Sequence, residues 1–129
     1  MPVVTEFTVS IDNRPGALAE LAESLAAAQI RINSLQGLPC GGQGIFQLVT
    51  EDTPATHEVF QEAGIEYIVR EVLVIQLESQ PGALAKVARL LGDAGINIDS
   101  VYATLGGQVV LGVDSLERAL PLVKSLGIL

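Results

Sequence analysis

The sequence predicts an α+β protein built from one small module used twice. Two observations carry that expectation. Residues 15–34, PGALAELAESLAAAQIRINS, return as residues 81–100, PGALAKVARLLGDAGINIDS, at an offset of 66 positions with 11 of 20 identities. Around each copy the apolar pattern runs strand, helix, strand, strand, helix and then a further strand segment. A fixed-period repeat governs the whole fold, because each unit is a supersecondary element that shares its burial with a neighbour. The order strand-helix-strand-strand-helix-strand is the split βαβ, or ferredoxin-like (βαββαβ), arrangement, with two helices on one face of an antiparallel sheet. The expected modules are residues 2–69 and residues 70–129.

Val3, Phe7, Val9 and Ile11 alternate with Glu6, Thr8 and Ser10, the period-two signature of a half-buried strand. Pro15 suits the first helical position, where no amide hydrogen is needed. Leu18, Leu21, Ala22 and Leu25 then form the expected buried stripe of a helix. Ile30 and Ile32 open the second strand, and Gly37–Gly44 is glycine-rich enough to mark a turn. Residues 45–50 form a third strand. Asp52 or Thr53, with Pro54, starts a second helix that ends near Gly64, and Ile65–Val69 is the fourth strand.

The second copy follows suit. Residues 72–77 make its first strand, Pro81 starts its helix, and Leu84, Val87, Ala88 and Leu91 face inward. Ile96 and Ile98 open the next strand, Gly106-Gly107 turns, residues 109–113 make the third strand, and residues 115–126 the last helix. Pro121 is expected to kink that helix. Three asymmetries distinguish the copies. Only Gly127-Ile128-Leu129 follows the last helix, so the second module is expected to be truncated at its last strand. No turn residue interrupts residues 65–77, so one strand runs from the first module into the second. Glu6 and Thr8 correspond to Val72 and Val74, so the helix-free face of the second module is more apolar. That face is the expected contact of a homo-oligomer, most simply a dimer.

Composition narrows the function. A unit of about 60 residues buries only about 60% of its unfolded surface and is marginal alone. The chain's net charge is −8, and no Lys/Arg cluster exists to hold a phosphate backbone. Nucleic acid and membrane are therefore not expected partners. No apolar run approaches the length of a spanning helix, and the N-terminal residues lack a signal-peptide pattern. With one cysteine, Cys40, and no internal disulfide, the chain reads as cytoplasmic.

The stretch Ile11-Asp12-Asn13-Arg14-Pro15-Gly16-Ala17-Leu18 joins a strand to a helix start. Helix starts offer unpaired amides and partial positive charge, a ready carboxylate site. Neither Arg14 nor Gln80 is a preferred N-cap, so the amides of Gly16 and Ala17 are expected to stay open. On its own, Pro-Gly at such a place is more often only a turn. Its appearance twice inside a duplicated module strengthens the binding reading.

Asp-Asn-Arg-Pro-Gly-Ala-Leu-Ala, and later Gln-Pro-Gly-Ala-Leu-Ala followed by Ala-Gly-Ile-Asn-Ile, resemble the ACT domain in two tandem copies over nearly the whole chain. The resemblance implies an amino-acid-sensing regulatory module whose ligand lies where two modules pair. It implies ligand contacts from Asn13 and Gly16 of one module and Asn97 of the other; Ile11, Asp12, Ala17 and Leu18 on the same loop complete the candidate site, with Asp12 placed to assist the ligand ammonium. The pseudo-symmetric set is Arg31, Ser79 and Gly82, where both asparagines are lost, so that site is expected to be altered or empty. Ile11 stands where serine-sensing relatives carry histidine, which implies a less polar ligand than serine. A zwitterion needs donors for its carboxylate and acceptors for its ammonium, and asparagine amides supply both.

His57 is expected on an exposed polar helix face, and Cys40 in a turn with no basic neighbour. No phosphate-loop lysine follows the paired glycines, and the carboxylates form no acid–base pair. The expected function is a non-catalytic amino-acid sensor, without cofactor or metal, that acts in trans on an enzyme or transporter of amino-acid metabolism. The alternative is a ligand-free assembly subunit of a metabolic complex.

Overall fold

The alternating N-terminal pattern forms strand β1, Val3–Asp12, which leads into helix α1, Ala17–Ala27. Strands β2, Ile32–Cys40, and β3, Gln43–Thr50, form a hairpin, followed by helix α2, Thr53–Ala63. Strand β4, Glu66–Ile75, is one uninterrupted element of ten residues. Helix α3, Ala83–Asp93, strands β5, Ile98–Ala103, and β6, Val109–Val113, and helix α4, Leu116–Ser125, complete the order. The computed structural model describes residues 2–129. The chain divides into a first unit, Thr5–Arg70, and a second that joins residues 71–129 to residues 2–4.

In the first unit the strand order is β2-β3-β1-β4. Phe7, Val9 and Leu48 from the sheet pack with Leu21, Leu25 and Phe60 from the two helices. The antiparallel register sets Phe7 opposite Leu48 and Asp12 opposite Gln43. Asp52 caps α2 by accepting from the Ala55 amide at 3.0 Å, and Gly64 ends the helix at φ 68°. Both ends of α2 are therefore where the sequence puts them, since an aspartate cap and a left-handed glycine each answer a local backbone need.

The glycine-rich turn is tighter than Gly37–Gly44. Only Gly41 and Gly42 separate β2 from β3. Gly37 is a strand residue directly opposite Phe46, and a Cβ added there would lie 2.3 Å from the ring. Glycine thus makes room for the aromatic ring across the strand pair.

The second unit packs Leu73, Ile75, Leu111 and Val113 against Val87, Leu91, Ala119 and Val123. Its sheet order is β5-β6-β4, with β4 paired to β6 from Leu73 to Ile75. Beside β4 in this unit, the place of a fourth strand is filled from two sources. The Val74 amide donates to the Pro2 carbonyl at 2.8 Å, and the Gln76 amide donates to the Ile128 carbonyl at 2.7 Å. Val3 and Ile128 both pack on the apolar cluster. The N-terminal residues thus complete a sheet belonging to the C-terminal repeat. Deleting residues 1–4 is expected to cost the second unit about 2 kcal/mol, from part of one valine's burial and one exposed backbone bond. The loss is read as a lower thermal midpoint on the Tyr102 signal in a Tyr67→Phe background.

Several local expectations are corrected. Pro15 does not begin α1. The Ala17 amide donates to the Arg14 carbonyl at 3.2 Å and Gly16 holds φ 86°, ψ −11°. Arg14-Pro15-Gly16-Ala17 is therefore a type II turn, with proline and glycine at its two central positions. Gln80-Pro81-Gly82-Ala83 repeats it, with Gly82 at φ 90°. Because α1 starts at Ala17, its buried stripe is Ala17, Leu21 and Leu25, while Leu18 is 42% exposed and its counterpart Leu84 is 45% exposed. Glu6 does not face solvent. It is fully buried, and Arg70 Nε donates to its carboxylate at 3.0 Å. Val72 is likewise fully buried, so it adds nothing to an exposed apolar face. Finally, His57 is half-buried rather than exposed. Its Nδ1 lies 2.7 Å from the Tyr67 hydroxyl and its ring 5.0 Å from that of Phe7. His57 and Phe60 are three residues apart on a helix and share a face, which turns both toward the sheet. Helix α4 runs through Pro121 as one element.

Candidate functional site

The loop after β1 is held from two sides within the first unit. The Asn13 amide donates to the Gly42 carbonyl at 3.0 Å, and Gln43 Nε2 donates to the Asp12 carboxylate at 3.2 Å. Ser10 Oγ donates to the Gln43 side-chain carbonyl at 3.1 Å. The β2–β3 hairpin therefore braces the start of the loop, and Gln43 occupies part of the Asp12 carboxylate. Gln43 was not singled out from the sequence. Its role follows from the strand register that pairs it with Asp12, which no local pattern encodes.

The far end of the loop is the type II turn. Gly16 is the N-cap of α1 and brings no side chain to cap the first turn. The Ala17 amide is used by the turn itself, so the expectation that it stays open is corrected. The Glu20 amide donates to the Gly16 carbonyl at 3.0 Å as the first helical bond. That leaves the amides of Leu18 and Ala19 as the uncapped donors at a positive helix end. Arg14 folds back over the turn, bonding the Pro15 carbonyl at 3.3 Å and pairing with Glu20.

Asn13 and Asn97 share one property. Both are exposed, and among the described residues neither side-chain amide has a hydrogen-bond partner. Their backbones are fixed instead. The Asn97 backbone N–H donates to the Asp114 carboxylate at 3.1 Å, and the Asp114 backbone N–H donates back to the Asn97 backbone carbonyl at 3.1 Å. Arg31, the counterpart of Asn97 in the first repeat, has the same reciprocal arrangement with Glu51 at 3.1 Å and 3.0 Å. A rigid backbone under a side chain with free donors and acceptors is what a binding position requires. Ser79 and Gly82 are also exposed, on the second loop.

Ile11, Asp12 and Ala17 come together along a cleft of about 320 Å³ inside the first unit, with Arg14, Glu20 and Ile65 on its other walls. Asn13, Gly16 and Leu18 are not among its lining. The second unit has the equivalent cleft, about 170 Å³, between Leu77, Gln80, Ala83, Lys86 and Ile128. The helix position that carries Glu20 in the first repeat carries Lys86 in the second. No group of three or more His, Cys, Asp or Glu side chains that could hold a metal ion occurs among the described residues. No helix among them is long and apolar enough to cross a membrane.

A family model described as an ACT domain pair matches residues 2–124. The chain belongs to the ACT domain pair family. ACT modules are regulatory, amino-acid-binding folds, and the six strands and four helices with their repeated Pro-Gly turn fit such a pair. A solved protein from Bacteroides thetaiotaomicron superposes with a TM-score of 0.90 at 22% identity, covering 98% of this chain and 90% of that one. The ligand-free regulatory subunit of aspartate kinase from Thermus thermophilus superposes with a TM-score of 0.69 at 20% identity, covering 98% and 91%. The corresponding subunit from Thermus flavus gives 0.66 at 22% identity, covering 97% and 92%. At these identities the likeness is one of fold. No curated protein matches the chain significantly.

Proposed function

We propose that this ACT pair is a non-catalytic sensor of a small amino acid, acting in trans on an enzyme or transporter of amino-acid metabolism. The observation that carries the reading is the pair of exposed asparagines, Asn13 and Asn97, with unpartnered amides on backbones tied down by the Gly42 carbonyl and the Asp114 carboxylate. Asn13 offers its amide beside the uncapped first turn of α1, where a ligand carboxylate meets the Leu18 and Ala19 amides. Asn97 supplies the second contact from a second-module segment, whether in the same chain or in another copy. Carboxylate binding at an open helix start and ammonium binding to amide carbonyls together suit a zwitterion. Ile11 and the half-exposed Leu18 favour an apolar ligand side chain over a hydroxyl. The family match and the regulatory subunits among the structural neighbours support the regulatory role. Output comes from differential binding to alternative module geometries.

A thermal-shift screen against each common amino acid tests the proposal. A ligand at about 100 times its Kd stabilises by about 2.7 kcal/mol. The shift is expected for an aliphatic amino acid and is expected to vanish in Asn13→Ala/Asn97→Ala. A shift that survives both substitutions moves the site elsewhere. No shift with any amino acid rejects the sensor and leaves the assembly subunit.

A further inference from the structure

Two charged side chains stand on the walls of the first-unit cleft, Arg14 from the loop and Glu20 from α1. They pair with each other. Arg14 Nη1 also donates to the Pro15 carbonyl, and a Cβ added at Gly16 would lie 3.8 Å from it, so the guanidinium sits over the type II turn. Among the described residues the Glu20 carboxylate has no donor but Arg14, and the guanidinium has no carboxylate but Glu20. The pair belongs to the first repeat alone. Its counterparts in the second are Gln80 and Lys86. Gln80 Nε2 donates to Glu78 at 2.7 Å instead, and the Lys86 ammonium has no partner among the described residues. The copy whose loop carries Asn13 is therefore the copy that carries the ion pair.

We infer that Glu20 is a built-in competitor for the ligand carboxylate, and that Arg14 is the cation which binds that carboxylate once Glu20 releases it. The inference rests on the amino-acid-sensor reading and names two residues that set its affinity. The first argument is chemical identity. A guanidinium is a planar fork matched to a carboxylate, and the group now holding it is a carboxylate on the wall of the same cleft. Glu20 thus occupies the place on Arg14 that the carboxylate of an amino acid takes.

The second argument is energetic. The Arg14 and Glu20 side chains are 50% and 62% exposed, and ion pairs between exposed side chains contribute little. Exchanging Glu20 for another carboxylate therefore costs little. An aliphatic amino acid gains what Glu20 lacks, because its side chain reaches the apolar cleft wall of Ile11, Leu21 and Ile65 and is removed from water there. The pair still tunes the response. Ligand affinity falls by the fraction of molecules in which the guanidinium is free, since only those are competent to bind. The second cleft has no such restraint, because its helix position carries a cation and its loop position an amide.

The test titrates the full chain with L-leucine and with L-valine by calorimetry. Glu20→Gln is expected to tighten binding about threefold, because the guanidinium is released. Arg14→Gln is expected to weaken it about tenfold, through loss of a charged donor. In the Arg14→Gln background, Glu20→Gln is expected to change little, since its effect runs through Arg14. Both side chains are half or more exposed, so the variants keep the fold, and circular dichroism checks it. Unchanged or weaker binding in Glu20→Gln overturns the inference, while loss of binding in Asn13→Ala/Asn97→Ala leaves the sensor reading standing. Equal tightening with and without Arg14 also overturns it, because Glu20 then acts by repulsion alone. A native chain that binds neither amino acid overturns the aliphatic sensor and this inference with it.

Discussion

Replacing Phe7 by alanine is expected to destabilise the first module by about 4 kcal/mol, within the range for emptying a buried phenylalanine site. Phe7 is fully buried. Its ring lies 5.0 Å from His57, 5.5 Å from Phe60 and 5.7 Å from Tyr67, with edge-on or tilted contacts to each. These are favourable aromatic geometries, each adding to simple area burial. The three partner rings come from two elements, His57 and Phe60 from α2 and Tyr67 from β4, so the neighbours cannot collapse into the space by a single side-chain move. A cavity that cannot relax carries the higher cost. The chain has two tyrosines and no tryptophan, which makes the measurement clean. In a Tyr102→Phe background, Tyr67 emission follows the first module alone. With an m-value of about 1–2 kcal/mol/M in urea, the midpoint should fall by about 2 M or more. Phe7→Leu should recover much of the loss, since a smaller change in volume costs less. An alanine variant as stable as the native chain would refute this account of the core.

The second large effect concerns Glu6. Arg70→Ala is expected to cost about 3 kcal/mol, because it leaves a carboxylate buried without its guanidinium. Glu6 has no exposure, whereas the Arg70 side chain retains 35%, which places the loss at the lower end for broken buried pairs. Gln47 Nε2 also reaches the Glu6 carboxylate, at 3.5 Å, and offsets little at that length. Glu6→Gln should cost less than Arg70→Ala, since the amide keeps the volume and needs no counter-charge. The double variant Glu6→Leu/Arg70→Met should lie near the native stability, as paired replacements of buried ions commonly do. With Glu6→Gln/Arg70→Ala added, the urea midpoints of the native chain, the two single variants and that double variant form a double-mutant cycle. A coupling near zero would mean that the two side chains do not depend on each other.

Glu6 also shows where sequence pattern stops. Period-two alternation places it opposite Phe7 on the sheet, and that is correct. Pattern cannot tell whether the second face of a sheet is wet. A carboxylate at an alternating position reads as solvated unless a distant cation is known to meet it, and Arg70 is 64 residues away. His57 failed for a related reason. Thr56 and Phe60 mark the buried line of α2, and His57 lies beside that line, so its exposure depended on how far the sheet reaches under the helix. Leu18 and Leu84 failed together because a type II turn delays each helix by two residues, which rotates the buried stripe onto Ala17, Leu21 and Leu25.

The candidate site divides in the same way. Gly16 was named from the Pro-Gly turn, and its left-handed backbone is a second reason for glycine there; Asn13 and Asn97 were named as candidates from the resemblance to the ACT motif. The brace from Gly42 and Gln43 was not, since it depends on the β1–β3 register.

By itself the amino-acid sequence determined that this protein is a duplicated ACT module, with its helices, most of its strands and its Pro-Gly turns. Those follow from short-range rules: periodicity, caps, and backbone angles that only proline or glycine adopts. Tertiary structure alone decided that residues 2–4 complete the sheet of the second repeat and that Glu6 is buried on Arg70. Each of these depends on segments distant in sequence meeting across a sheet, and strand pairing takes its energy from backbone groups that are the same in every residue.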